Sequence, residues 1–160
     1  MIVKFKKGIE QPSILTCIRS DGSMTWTNIQ PALELHDIAH YVVETTLGFT
    51  EAFYGMIAKG YDIGDFELPR EQRPVDLIPA NLPVQALQTE HIVNLLHPGY
   101  LSANAEFDLL STLRTVLAGK EIDFPEILST DKLHCIYQRY EELILKWKGL
   151  EIGETMEMIF

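Results

Sequence analysis

The sequence predicts an α+β fold, a small antiparallel sheet drawn from both ends of the chain and packed with about five helices. Three observations predict it. The N-terminal stretch alternates apolar and polar residues with the period of a strand, and so do the last few residues. Between them, apolar residues recur at intervals of three and four, punctuated by Gly and Pro, which is the pattern of short amphipathic helices. Elements of this kind, with the helices gathered between terminal strands, form an α+β layer arrangement.

In chain order, Val3 and Phe5 alternate with Lys4 and Lys6 as a first strand, and residues 8–12 carry turn formers. Ile14, Leu15, Cys17 and Ile18 mark a second strand. Asp21-Gly22 follows as a two-residue hairpin turn, since both turn positions favour positive φ. That turn would set Cys17 opposite Trp26 on a returning strand over 24–29. Pro31 suits a helix start, and a helix over 32–47 ends at Gly48. Thr50 is placed to cap a short helix over 51–59, closed by Gly60. Residues 61–83 hold Pro69, Pro74, Pro79 and Pro83 with little periodicity. They read as a packed connector, although irregular stretches of this length are often functional.

Helices are expected over 84–97, stopped by Pro98-Gly99, and over 105–118, with Phe107, Leu110, Leu113 and Leu117 on one face. A longer helix starts near Asp131 and ends at Gly149. It carries Leu133, Ile136, Tyr137, Tyr140, Leu143, Ile144 and Trp147 as a single apolar stripe, which is core patterning. The tail sets Met156, Met158 and Phe160 against Glu157 and Ile159, as an edge strand does. Pairing with the first strand would bring Lys4 and Lys6 to its acidic residues.

The chain has 160 residues, of which 46% are apolar and 22% charged, with a formal charge of −10. One domain over 1–160 is expected, since domains typically run ~100–200 residues. The acidity disfavours nucleic acid, whose phosphates need a basic surface, and anionic membranes for the same reason. No apolar run of the ~18 residues a span requires is present, and the N-terminus lacks the apolar core of a signal peptide. Cys17 and Cys135 are far apart and outside any C-x-x-C pair, so free thiols in a reducing cytoplasm are expected. No nucleophile-elbow, P-loop or dinucleotide-binding glycine motif is present.

One segment carries chemistry, Leu35-His36-Asp37-Ile38-Ala39-His40-Tyr41-Val42-Val43-Glu44. With His36 at zero on a helical wheel, His40 falls at ~40°, Glu44 at ~80° and Asp37 at ~100°. Ile38, Val42, Leu35, Ala39 and Val43 occupy the other side. Imidazoles at i and i+4 stand ~6 Å apart along the axis and can converge on one metal ion. In H-E-x-x-H zinc sites the residue after the first His is the general base, a position held here by Asp37, one methylene shorter. Glu44 is too far along the axis to share that metal with His36 and suits a supporting acceptor for the His40 ring. A third ligand must come from elsewhere; Glu90 and His91 are the first candidates, with Asp62 and Asp65 behind them. The same pattern also describes a buried polar network of imidazoles and carboxylates. His91, in line with Leu87 and Leu95, also fits a core position. His97 and His134 read as structural.

Leu35-His36-Asp37-Ile38 is similar to the LHDIG stretch of HD-domain phosphohydrolases. That family also uses a His on an earlier helix and an all-helical fold, whereas here the upstream residues read as strands. A wider resemblance runs through residues 35–44, Leu47-Gly48-Phe49, Ala52-Phe53-Tyr54-Gly55, Ala58-Lys59-Gly60 and the terminal Gly153-Glu154-Thr155. It resembles a group of bacterial proteins sharing an HDxxHYVVE helix, with no established activity. The resemblance implies a bacterial, cytoplasmic origin and supplies no reaction.

The expected function is metal binding, extending to a metal-dependent hydrolase: His36, His40 and Glu90 or His91 as ligands, Asp37 as base, Glu44 in support. A divalent metal, zinc or similar, is the one cofactor this pattern calls for. The alternative is a non-catalytic interaction or small-ligand-binding module whose His/acid stripe is structural. The residues single out neither a particular small molecule nor a protein partner.

Overall fold

The computed structural model describes residues 1–8, 12–30, 33–96 and 108–160. Four strands, β1 (Ile2–Lys6), β2 (Ser13–Ile18), β3 (Met24–Ile29) and β4 (Thr155–Ile159), form one antiparallel sheet in the order β3-β2-β1-β4. The five α-helices among the described residues are α1 (Leu33–Leu47), α2 (Phe53–Ala58), α3 (Val84–Leu96), α4 (Leu109–Ala118) and α5 (Thr130–Gly149). This is the α+β arrangement expected, with the chain beginning and ending on adjacent strands.

The strand alternation sorts side chains to two faces. Val3, Phe5, Leu15, Cys17, Met156 and Met158 are buried beneath the helices. Phe5 meets Trp147 of α5 edge-on, ring centroids 6.1 Å apart, and burying a ring of that size contributes about 1.5–3 kcal/mol. On the other face Lys4 lies between Thr16 and Glu157, and its ammonium contacts the Glu157 carboxylate at 2.8 Å. Lys6 pairs instead with Thr155.

The hairpin register differs from the expected one. Arg19 N donates to Ser23 O at 2.8 Å and Gly22 N to Arg19 O at 3.1 Å, with Gly22 at φ +85°. These contacts make a three-residue loop over 20–22, a turn followed by a left-handed glycine, in place of a two-residue turn. The Asp21 carboxylate selects it by accepting from both Ser23 N and Ser23 Oγ. The extra loop residue moves the register by one, so Cys17 faces Thr25 and Trp26 faces Thr16. A slip of one residue changes the face: Trp26 stands 60% exposed on the open side.

Helix α1 packs against α3 and α5. It is tied down by Tyr140 Oη donating to Leu35 O at 3.2 Å and by its own Tyr41 Oη donating to Ile159 O at 2.8 Å. Its last turn ends at Gly48 with φ +68°. Helix α2 starts later than expected, at Phe53, and Thr50 does not cap it. The amides of Thr50 and Glu51 donate instead to Gln85 Oε1 of α3, at 2.9 and 3.0 Å. Three short 3-10 turns, Ile63–Phe66, Val75–Leu77 and Pro79–Asn81, organise the proline-rich connector. Arg19 pins its start, donating to Ile57 O, Tyr61 O and Asp62 Oδ1.

Asp108 caps α4 through Ser111 N, and Ser129 caps α5 through Lys132 N. The expected start of the helix at 105, its Phe107 contact, His97, and the turn at Pro98-Gly99 lie outside the described residues, as do Pro31 and residues 9–11 of the first turn. Along α5 Leu133, Ile136, Tyr140 and Trp147 are buried, with Tyr137, Leu143 and Ile144 packed at the margin. Lys7 Nζ closes the carboxyl end of α5 with bonds to Trp147 O, Lys148 O and Leu150 O, where a cation also meets the negative end of the helix dipole. Cys17 and Cys135 are both free thiols.

Candidate metal centre

Helix α1 carries His36 and His40 one turn apart, with ring centroids 4.7 Å from one another. The remaining faces of α1 are taken up by the core, so this stripe is the part left to meet α3. Across that contact, Glu90 of α3 approaches both rings: His40 Nε2 lies 3.3 Å from Glu90 Oε2, and His36 Nε2 3.9 Å from Glu90 Oε1. One ligand atom from each residue lies within 4.8 Å of the other two. In tetrahedral zinc sites neighbouring ligand atoms are about 3.3 Å apart, close to the 3.3 Å between His40 Nε2 and Glu90 Oε2. The Glu90 side chain is half exposed, which leaves it free to adjust to an ion.

Each imidazole has a carboxylate behind it. His36 Nδ1 stands 3.6 Å from Asp37 Oδ1, and His40 Nδ1 stands 3.9 Å from Glu44 Oε1. Both rings thus turn Nε2 toward Glu90 and Nδ1 toward an acid, at separations longer than a hydrogen bond but on the side from which an outer carboxylate orients a metal-binding imidazole. The buried His40 Nδ1 has no hydrogen-bond partner among the described residues.

Glu44 is fully buried, and its carboxylate has a task beyond His40. Oε1 accepts from Tyr54 N at 3.1 Å and Oε2 from Gly55 N at 3.0 Å, which satisfies the open amides at the start of α2. The expected support of the His40 ring is therefore a longer-range contact, and the hydrogen bonds of Glu44 go to the backbone. Burial pushes its carboxyl up to about 8, while the backbone donors pull it down. Asp37, expected as a base, faces the His36 nitrogen remote from Glu90.

The charges within the group reinforce one another. His36 is raised above its ordinary value, first by the adjacent Asp37 carboxylate, with burial opposing and the Glu90 charge adding. Glu90 is lowered to about 2, first by the His40 ring 3.3 Å away, against the effect of burial. Asn94, one turn further along α3, donates to Glu90 Oε1 at 3.0 Å and steadies the carboxylate.

The other sequence candidates are placed elsewhere. His91 follows Glu90 by one residue and points ~100° around α3; it is not part of the three-residue group. Burial and then the charge of Lys120 lower it. Asp62 pairs with Arg19 at 2.8 Å, and Asp65 accepts from Asp62 N at 2.8 Å, so both serve the connector. Two contributors went unrecognised in the sequence. Asn94 had a readable signal, its i+4 position after Glu90. Phe53, with its ring 6.0 Å from that of His40, had none, because only the tertiary fold brings α2 beside α1.

Comparison with protein-family models, curated proteins and solved structures returns no significant match.

Proposed function

We propose that the protein binds a divalent metal ion, zinc or similar, through His36 Nε2, His40 Nε2 and the Glu90 carboxylate. The observation that carries this reading is the shared polarity of the two rings: Nε2 of each faces Glu90 and Nδ1 of each faces Asp37 or Glu44. Two imidazoles and a carboxylate are a donor set suited to zinc, and they leave a fourth position open to water. Such water is the nucleophile of metal-dependent hydrolases, and hydrolysis is the extension of this reading. The position of Asp37 against His36 Nδ1 suits orienting that ligand more than accepting a proton from metal-bound water, so the extension rests on the open position alone. A charge of −10 supports partners other than nucleic acid or anionic membrane. Two free thiols and the bacterial resemblance support a reducing cytoplasm as its compartment.

Elemental analysis of protein purified without chelator or affinity-tag nickel tests the proposal. The expected result is close to one ion per chain, lost in His40→Ala. Substoichiometric metal that is unchanged by His40→Ala overturns it. The second reading, a structural polar network, is favoured by the 3.3 Å contact between His40 and Glu90, which pairs them without an ion. It predicts that His36→Ala with His40→Ala lowers the melting temperature, while added zinc or manganese shifts neither protein.

A further inference from the structure

Asp37 and Phe53 also line a cavity of about 240 Å³, between the end of β3, α1 and the 3-10 turn Ile63–Phe66. Its wall is aromatic on one side: Phe53 and Phe66 meet edge to face with centroids 5.0 Å apart. Its polar lining residues are Thr27, Asn28, Gln30, Asp37 and Glu67, of which Asn28 shares the open face of β3 with Trp26. Among the described residues that line it, the two charged ones are both carboxylates and none is Lys, Arg or His. Concave sites of this make-up, an apolar wall with a few convergent polar groups, are where small ligands bind.

We propose that this cavity binds a small aromatic amine, its ring against Phe53 and Phe66 and its ammonium group between Asp37 and Glu67. The chemistry favours a cation for two reasons. An ammonium group meets carboxylates there, and aromatic faces attract positive charge. A carboxylate ligand would meet two like charges and no basic partner. The volume suits a single ring with a short side chain rather than a larger ligand. His36, His40 and Glu90 are not among the described residues that line the cavity, so the amine is bound without them. Asp37 borders both the cavity and that group, one oxygen 3.6 Å from His36 Nδ1.

The test is titration of the ¹⁵N-labelled protein with benzylamine, with phenylacetate and benzyl alcohol as anionic and neutral counterparts, before and after chelator treatment. Benzylamine is expected to give saturable shifts of the amides of Thr27, Asn28 and residues 63–67 in both preparations. Benzyl alcohol should bind more weakly and phenylacetate not at all. Glu67→Gln should weaken benzylamine about fivefold, the size expected for losing one exposed ionic contact. Glu67 is exposed and outside the metal group, so metal content serves as a separate readout. No saturable shift at the cavity, equal binding of phenylacetate, or an unchanged affinity in Glu67→Gln overturns the proposal.

Discussion

Gly55 donates its amide hydrogen to Glu44 Oε2 at 3.0 Å, and this bond joins the helix that carries the histidines to the short helix that follows it. Glu44 is buried and faces two backbone donors, so its side chain sets where α2 begins. Folded, it holds its proton up to about 8; its ordinary value is 4.5. Between those values the folded state binds a proton that the unfolded chain has released. The contribution to stability is therefore fully present below 4.5 and is lost as pH rises toward 8. Glu44→Gln removes the titration and turns an amide NH₂ toward one of the backbone donors, which costs about 1–3 kcal/mol. Urea unfolding of both proteins at about pH 5 and about pH 8.5 checks this. The wild-type advantage should shrink at the higher pH; an equal advantage at both would show that Glu44 does not change charge over this range.

Gly55 has a second constraint. A Cβ placed on it would overlap the carbonyl carbon and oxygen of Thr50, which are backbone atoms and cannot swing aside. Gly55→Ala should therefore shift the 50–55 turn and lower the melting temperature by roughly 3–10 °C. Gly64 supplies the control, because nothing lies within 4 Å of a Cβ built there. Gly64→Ala should melt within about 2 °C of the wild type, and equal effects of the two substitutions would remove the steric explanation.

What could be read in advance follows from the range of the interactions concerned. Period-two alternation exposed β1 and β4, and the Lys4–Glu157 contact followed from pairing those strands. The α1 wheel put His36 and His40 on one stripe because helical geometry is local. The hairpin register was not legible: whether Asp21 and Gly22 make a two- or a three-residue loop depends on the Asp21 bonds to Ser23, not on the dipeptide. The choice of Glu90 over His91 turned on the rotation of α3 against α1, a packing outcome. The cap of α2 came from Glu44, ten residues upstream of Tyr54, and no capping pattern written in adjacent residues reaches that far.

The two cysteines should differ sharply in reactivity. Cys17 on β2 is fully buried beneath the helices, and burial pushes its thiol up to about 12, while Cys135 on α5 is partly exposed. Only the thiolate is nucleophilic, and Cys17 lacks both charge and access. Reaction with a chromogenic disulfide at neutral pH should titrate one thiol in the native protein and two in denaturant. Two fast thiols in the native state would mean that the sheet opens over Cys17 far more readily than its packing implies.

Asp37 and Glu90 both carry a carboxylate to the histidines, and their removal should have different consequences. Glu90 offers its oxygens on the Nε2 side of both rings and is half exposed, so Glu90→Ala takes away a ligand and leaves the buried His40 ring without its partner. Zinc affinity should fall by more than about 100-fold, beyond what loss of an outer partner brings, with the metal-free protein destabilised by about 1–3 kcal/mol. Asp37 stands on the Nδ1 side of His36, so Asp37→Asn keeps all three ligands and weakens only the control of ring orientation and basicity. Affinity should then fall by about 10–100-fold. Competition against a chromogenic zinc chelator, together with thermal melts of the metal-free proteins, measures both quantities. An Asp37→Asn loss equal to that of Glu90→Ala would make Asp37 a ligand in its own right, and the orientation of His36 toward Glu90 would have to be reassigned.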